Sequence, residues 1–528
     1  MRKISLLFCL LSSTCIYSQL ALDSSYANGG INDTGLQSYN TYSGSDGVGI
    51  SNAPYFLPDN TILIPYAINP FYSAQFPNLA PTIGIKKYLE NGNLDTSFGT
   101  NGTALFTANF HADRFDISGI TMQPDGKIIL VGRTHQLGLF SRDYQVFICR
   151  FNANGTKDTS FGTSGLTKLN LYVENSADTN DERFVDVTVD DQNRIIAVGY
   201  TYWYLGSSIY DSSATAVRFL SNGTVDTSFA TNGKLQMSLT GQDSFCNIYK
   251  SGNSLILLGN TNPTLSQSDF LVAKIDANGN LETSFGTNGM ANVGFGGNVL
   301  AFKIFQEQDD KMMIAGLKLG SGMAFAKLNT DGSLDTAFSG DGKSTTSLAV
   351  PGHDPIGSEA YPGISSDHIE RLPDNKYIIV SSVRVSNSYD YAITRLNIDT
   401  TKDTSFMSNG LYVNDIAAFD WARGLHVQTD GKLVVLVGST LFRYLNFSVL
   451  DLDGVNAVKY RAYPNPTSGV LNLDNIAQTG IITDFTGKTL ANLNSFEKID
   501  FSNYIKGIYF LTVTFEDGRI QVMKVIKQ

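Results

Sequence analysis

Charge is scarce in this sequence: Asp, Glu, Lys and Arg make up 16 % of its 528 residues, against ~25 % in an average soluble domain. Coiled coils and helical bundles need dense Glu, Lys and Leu, so they are excluded. Cationic charge is scarcer still, with 38 Lys and Arg against 49 Asp and Glu and a net charge of −11. A nucleic-acid partner needs clustered Lys and Arg for its phosphates, and is excluded as well. Only five His and four Cys occur. No GxSxG, HExxH, CxxC, P-loop or full EF-hand pattern is found. No apolar run is long enough to span a bilayer. What is plentiful is Gly, at 49 residues, and aromatics, at 11 %, the composition of a β-rich protein full of turns.

The N-terminus reads as a secretory signal peptide over residues 1–18. Arg2 and Lys3 form a basic start, ISLLFCLL a short apolar core, and SSTCIYSQL a polar exit. Cys9 and Cys15 leave with it; Cys149 and Cys246 remain and are expected as two separate, partly buried thiols.

One unit then recurs. FNANGTKDTSFGTSG (151–165), FLSNGTVDTSFATNG (219–233) and IDANGNLETSFGTNG (275–289) are three of its copies. The aromatic anchors are Phe98, Phe161, Phe229, Phe285, Phe338 and Phe406, with Tyr26 in a degenerate first copy, and they lie 53 to 72 residues apart. A turn followed by an apolar run recurs in phase, as in QPDGKIILVG (123–132) and QTDGKLVVLVG (428–438), and reads as a tight hairpin entering a buried strand. A strand with basic residues at one end follows, as in VFICRFN (146–152) and YAITRLN (391–397); its seventh copy is placed at NFSVLDL (446–452). A unit of about 60 residues with about four strands is too large for a solenoid coil and fits one propeller blade. The array opens on an anchor and ends on a strand, so the N-terminal copy supplies what the last unit lacks. The expected fold is all-β: a closed seven-bladed β-propeller over 19–455, a linker over 456–462, and a small immunoglobulin-like β-sandwich over 463–528.

Sequential antiparallel strands put the anchors and hairpin turns on one face and the variable loops on the other, where function usually lies. The aromatic ligand-face candidates there are Tyr72, Tyr144, Tyr202, Trp203, Tyr204, Tyr361 and Trp421. Flat rings with polar companions suit a glycan or a peptide; the competing reading packs them against their own blades. Acids such as Asp116, Asp181 and Glu182 accompany them. Metal candidates are His353, Asp354 and His368, although their spacing fits no helix-borne zinc motif. The Asp-Gly and Asn-Gly turns lack the alternating carboxylates of calcium loops, so no cofactor is expected and calcium is unsupported. The Asp and Ser beside each anchor read as local capping.

The L-D-x-S-F-G-x-N-G unit with its Q-P-D-G-K-I-I hairpin resembles the bacterial delta-60 repeat, a β-propeller family that brings architecture and no agreed activity. From Tyr463 the texture changes. Tyr463, Pro464, Asn465, Pro466 and Gly469, then Gly487 and Lys488, then Gly507 and Tyr509 resemble the C-terminal sorting domain of the type IX secretion system of Bacteroidota. That resemblance implies recognition by the type IX machinery, crossing of the outer membrane, and either release or attachment to surface lipopolysaccharide. The expected function is a secreted or cell-surface monomer that binds a glycan or protein without catalysis. The alternative is a polysaccharide hydrolase or lyase that uses acids of the same face.

Overall fold

In a computed structural model the chain divides into two compact units, Met1–Leu450 and Asp451–Gln528. The structure describes residues 20–528 apart from 37–46, 51–53, 70–80, 108–112, 137–143, 172–180, 207–208, 240, 265–266, 308, 350–367, 386–387, 408, 417–419, 446–461, 485–488 and 516–519. The signal-peptide and linker assignments therefore lie outside the described residues, save for the linker's last residue, Ala462.

Among the described residues, the first unit consists of seven antiparallel sheets. Sheet 2 is representative, with strands Asp113–Met122, Ile128–Gln136, Tyr144–Phe151 and Leu166–Leu169 in sequence order. Sheets 3 to 6 repeat this order from Asp181 to Asn414, and sheet 1 keeps it over Gly47–Thr107 with Tyr55–Phe56 as an extra short strand. Sheet 7 draws three strands from Ala422–Tyr444, and its fourth is Ile31–Asp33 from the other end of the chain. Ile31 lies opposite Phe442, and Asp33 opposite Thr440. The ring therefore closes by joining its two ends, as the order of the repeats implies.

One placement is corrected. The third strand of sheet 7 is Thr440–Tyr444, not 446–452. In this copy the variable loop has shrunk to a turn at Gly438 and Ser439, so the strand begins early and Arg443 takes the place that Arg395 holds in sheet 6.

The repeated motif is explained by a joint between neighbouring sheets. The buried anchor ring of Phe161 lies against Gly223, in the Asn-Gly turn of the next sheet, where an added Cβ would come 2.7 Å from the ring. The Gly162 amide donates to the Asn222 carbonyl at 2.8 Å in the same joint. The acid three residues before each anchor holds a basic residue of the third strand. Arg150–Asp158, Arg218–Asp226, Arg395–Asp403 and Arg443–Asp23 are 2.8, 2.8, 2.6 and 2.7 Å apart. Lys87–Asp95, Lys274–Glu282 and Lys327–Asp335 are the other copies, at 3.1, 3.2 and 3.9 Å. The guanidinium also covers the anchor ring, as Arg150 does Phe161 at 4.5 Å and Arg443 does Tyr26 at 4.4 Å. In five copies a Ser two residues past the acid caps it, Ser160 Oγ donating to Asp158 at 2.6 Å. Burial alone would raise the pKa of Asp23 and Asp158, but these hydrogen bonds and the facing guanidinium hold both down to about 2.

First strands of neighbouring sheets lie side by side, and polar side chains link several of them. Asp186 accepts from the Ile248 amide at 3.0 Å and Asn247 at 2.8 Å, and Asn247 accepts from the Ile304 amide at 3.2 Å. Lys303 donates to the Ile369 carbonyl at 3.1 Å, and Glu370 accepts from the Val427 amide at 2.9 Å. Cys149 is buried and Cys246 half-buried, both free, and burial pushes both thiols up.

The second unit is one five-stranded antiparallel sheet among the described residues, Ala462–Tyr463, Val470–Asp484, Thr489–Asp500, Gly507–Phe515 and Ile520–Lys527. The long strand Val470–Asp484 pairs with Ala462–Tyr463 near its start and Gly507–Phe515 near its end, while Thr489–Asp500 runs along it. Leu471, Ile482, Phe501, Leu511 and Val525 form its core.

Candidate ligand-binding face

In sheets 2 to 5 the variable end begins at a shared glycine. Gly132, Gly199, Gly259 and Gly316 end the hairpin repeat, and each lies opposite a bulge in the first strand. A Cβ at Gly199 would sit 1.8 Å from the Arg183 carbonyl oxygen, so no side chain fits. Past this glycine, residues one and three further along share one side of the strand. They are Arg133 and His135, Tyr200 and Tyr202, Asn260 and Asn262, and Leu317 and Leu319.

The first residue of each pair can bridge to the next sheet. Arg133 Nε donates to Asp116 at 2.9 Å, Nη1 reaches Asp181 in sheet 3, and the guanidinium lies 4.7 Å from the Tyr144 ring. Burial works against the Arg133 charge, but the two carboxylates outweigh it and raise its pKa. Asn260 donates to the Val299 carbonyl at 2.8 Å and accepts from the Ala301 amide at 3.0 Å, both in sheet 5. In sheet 6 Ser382 stands at this position and accepts from the Ala422 amide of sheet 7 at 2.9 Å.

Between these bridges the variable ends of sheets 3, 4 and 5 line an open cleft of about 500 Å³. Tyr200 and Tyr202 line it with Gln242, Ser244 and Asn262, and Asn298, Leu300 and Leu319 complete the far wall. Among the described residues Asp181 is the one charged member of the lining, and its carboxylate meets Arg133.

Of the aromatic candidates, Tyr202 lines the cleft. Tyr144 is buried beside Arg133. Trp421 is half-buried and packs on Tyr389 at 4.3 Å. Trp203 and Tyr204 continue the Tyr202 strand, opposite Asp211 and Tyr210, but their side chains lie outside the described set. Tyr72 and Tyr361 lie outside the described residues, as do His353 and Asp354. His368 is buried with Nε2 2.8 Å from the Ala422 carbonyl, which can only accept. Glu182 is fully buried and pins its own loop through the Leu171 amide at 2.7 Å; Asp243 and Asp420 do the same to Leu239 and Ile416, each at 2.6 Å. Asp390, Asp415 and Asp420 bring carboxylate oxygens within 4.8 Å of one another, a grouping common without a metal. Sequence reasoning passed over Gln242, Asn262 and Asn298. For Asn262 the usable signal is its fixed distance past Gly259, the same as Tyr202 past Gly199.

In the second unit the sorting motif gathers at one edge. The Tyr463–Pro464 and Asn465–Pro466 peptides are cis. Asn465 Oδ1 accepts from the Ile526 amide at 2.9 Å, and the Thr467 amide donates to the Ile526 carbonyl at 2.8 Å. Lys527 Nζ donates to the Ser468 carbonyl at 2.9 Å. Gly507 pairs with Lys527, and the buried Tyr509 hydroxyl donates to the Ile505 carbonyl at 2.7 Å. Gly469 follows in the turn, its amide 3.2 Å from Thr467 Oγ1, while Gly487 and Lys488 lie outside the described residues. Residues from the start and end of the unit thus lock its last strand in place.

Residues 461–528 match the family model described as a secretion system C-terminal sorting domain. Residues 123–161, 253–285, 307–338 and 372–406 match a domain of unknown function described as a beta-propeller. The chain is a β-propeller with a C-terminal sorting domain. The sorting domain directs the propeller out of the cell through the type IX system, to be secreted or held at the cell surface. No curated protein matches the sequence. Among solved structures, extracellular domains 1–2 of Drosophila Semaphorin 1a are 9 % identical, covering 78 % of this chain and 88 % of that one at a TM-score of 0.35. The beta-propeller domain of the Trilobed protease from Pyrococcus furiosus is 10 % identical, covering 76 % and 98 % at a TM-score of 0.33. Polysaccharide lyase Uly1 is 12 % identical, covering 78 % and 89 % at a TM-score of 0.30. Likenesses this distant carry nothing about what the propeller binds.

Proposed function

We propose that the exported propeller binds a glycan or protein ligand, without turning it over, through the variable end of its sheets. The observation that carries this reading is the cleft between sheets 3, 4 and 5. Its tyrosines offer rigid rings, and its amides and hydroxyls offer both donors and acceptors. Among the described acids of this face, Asp116 and Asp181 hold Arg133, and the buried Glu182 accepts from the Leu171 amide. In this reading residues 1–18 are a signal peptide, 19–455 the propeller, and 463–528 the segment recognised by the type IX machinery.

The test is a screen of polysaccharides and surface proteins against the full chain and its Tyr202→Ala variant. Binding that weakens in the variant, with no new reducing ends or unsaturated products from a bound polysaccharide, supports the reading. Product formation replaces it with an enzyme, and silence across every class removes it. Deleting 461–528 is expected to trap the protein inside the cell, as an assay of medium and cell surface would reveal; normal export would refute the role of the tail.

A further inference from the structure

We infer that the cleft takes an uncharged, polyhydroxylated chain, a neutral polysaccharide, and discriminates against anionic ones. This rests on the proposed function, since it names the ligand class of the same site. Carboxylated or sulfated polymers are recognised by Lys and Arg, above all by the bidentate guanidinium. Among the described residues lining the cleft there is no Lys, Arg or His. Two guanidiniums border the lining: Arg133 is engaged by Asp116 and Asp181 and covered by Tyr144, and Arg183, paired opposite Tyr200, lies 3.6 Å from Asp116. The lining thus offers an anion no free cation, and the net charge of −11 works against one as well.

What remains suits sugar hydroxyls. Gln242, Asn262 and Asn298 each carry an amide that both donates and accepts, as a hydroxyl does. Tyr200 and Tyr202 stand two residues apart on one strand, so both rings face the same side. Leu300 and Leu319 give the opposite wall an apolar surface for the C–H face of a sugar ring. Asn260 and Ser268, also in the lining, are committed to the Val299 backbone and hold the wall in shape. The volume of about 500 Å³ is within the range of small-ligand sites, so a few sugar units would fill it.

The full chain is run in native gels containing pullulan, laminarin or galactomannan, and in parallel gels containing alginate or polygalacturonate. Retardation is expected from at least one neutral polymer and from neither anionic one. Tyr202→Ala should weaken it about tenfold or more, the loss expected for a ring at a binding centre. Asn298→Lys places a cation at an exposed site in the lining and should create retardation by alginate that fades with added salt. Thermal melts confirm that each variant is folded. Retardation of the unmodified chain by the anionic polymers, lost in Tyr202→Ala, would overturn the neutral class and leave the binding function standing. Neutral binding that neither variant changes would overturn the cleft itself. Silence towards all five polymers would overturn the saccharide assignment.

Discussion

At one end of every sheet the molecule repeats itself. An acid three residues before an aromatic anchor holds a basic residue eight positions earlier, or Arg443 for Asp23 across the closed ring, and in five joints the anchor plugs a glycine turn of the next sheet. At the other end, in sheets 2 to 5, the positions one and three past the shared glycine read Arg-x-His, Tyr-x-Tyr, Asn-x-Asn and Leu-x-Leu. The first end answers the same packing question seven times, so its chemistry is nearly invariant. The second is freed from that question and can differ from sheet to sheet. Folding free energy should therefore concentrate at the anchor end, and recognition at the variable end.

Mutations can break this division. Phe161→Ala empties a fully buried site between sheets 2 and 3 and should cost about 3–5 kcal/mol in a denaturant melt. A loss near that of an exposed residue would mean the anchors do not carry the ring. Arg443→Ala leaves the buried Asp23 with Lys432, 3.5 Å away, as its remaining cation at the closure of the ring and should cost about 2 kcal/mol. Proteolysis should then begin near residues 20–33, the strand that closes sheet 7, and cleavage elsewhere first would argue against closure as the weak point.

The acidic residues of the anchor end sharpen the comparison through pH. Asp23 and Asp158 titrate near 2 when folded, below the ordinary value of 3.8. A lowered folded pKa stabilises above the unfolded value and is lost as pH falls. The stabilisation is therefore complete above about pH 4 and disappears towards pH 2, at about 1–2 kcal/mol for each. Asp158→Asn should flatten the acid limb of the melting curve; an unchanged limb would place the acid sensitivity elsewhere. The smallest stability effect belongs to the other end. Tyr202→Ala, in a half-exposed cleft wall, should shift stability by under about 1 kcal/mol while weakening binding. A large loss of stability there would mean that the variable end also carries the fold.

Much of the anchor end is legible before folding. The i, i+8 spacing of base and acid, the anchor phase and the Asx-Gly turns are local periodicities, and local periodicity survives in a one-dimensional string. Even departures obey it: Asn60 replaces Gly in the hairpin turn at a φ of 64°, which Asn tolerates. The seventh third strand was misplaced because its loop shrank to a turn, which removed the spacing that locates the others. The cleft is legible only in part. Tyr202 stands out as an aromatic in a variable segment, whereas Asn262 and Asn298 look like ordinary loop residues. Asp181 and Glu182 look equally available in sequence, yet one meets Arg133 and the other is buried against the Leu171 amide.

By itself the sequence determined seven units, a ring closed by its own N-terminal strand, and a terminal segment that directs export. These follow from residues whose partners recur at fixed separations along the chain. Only the tertiary structure decided which polar residues face a ligand and which brace the ring, because those partners belong to neighbouring sheets whose loops differ in length. Arg133 reaches Asp181 across 48 residues and Asn260 reaches Ala301 across 41. No repeat sets those distances; packing one twisted sheet against the next does.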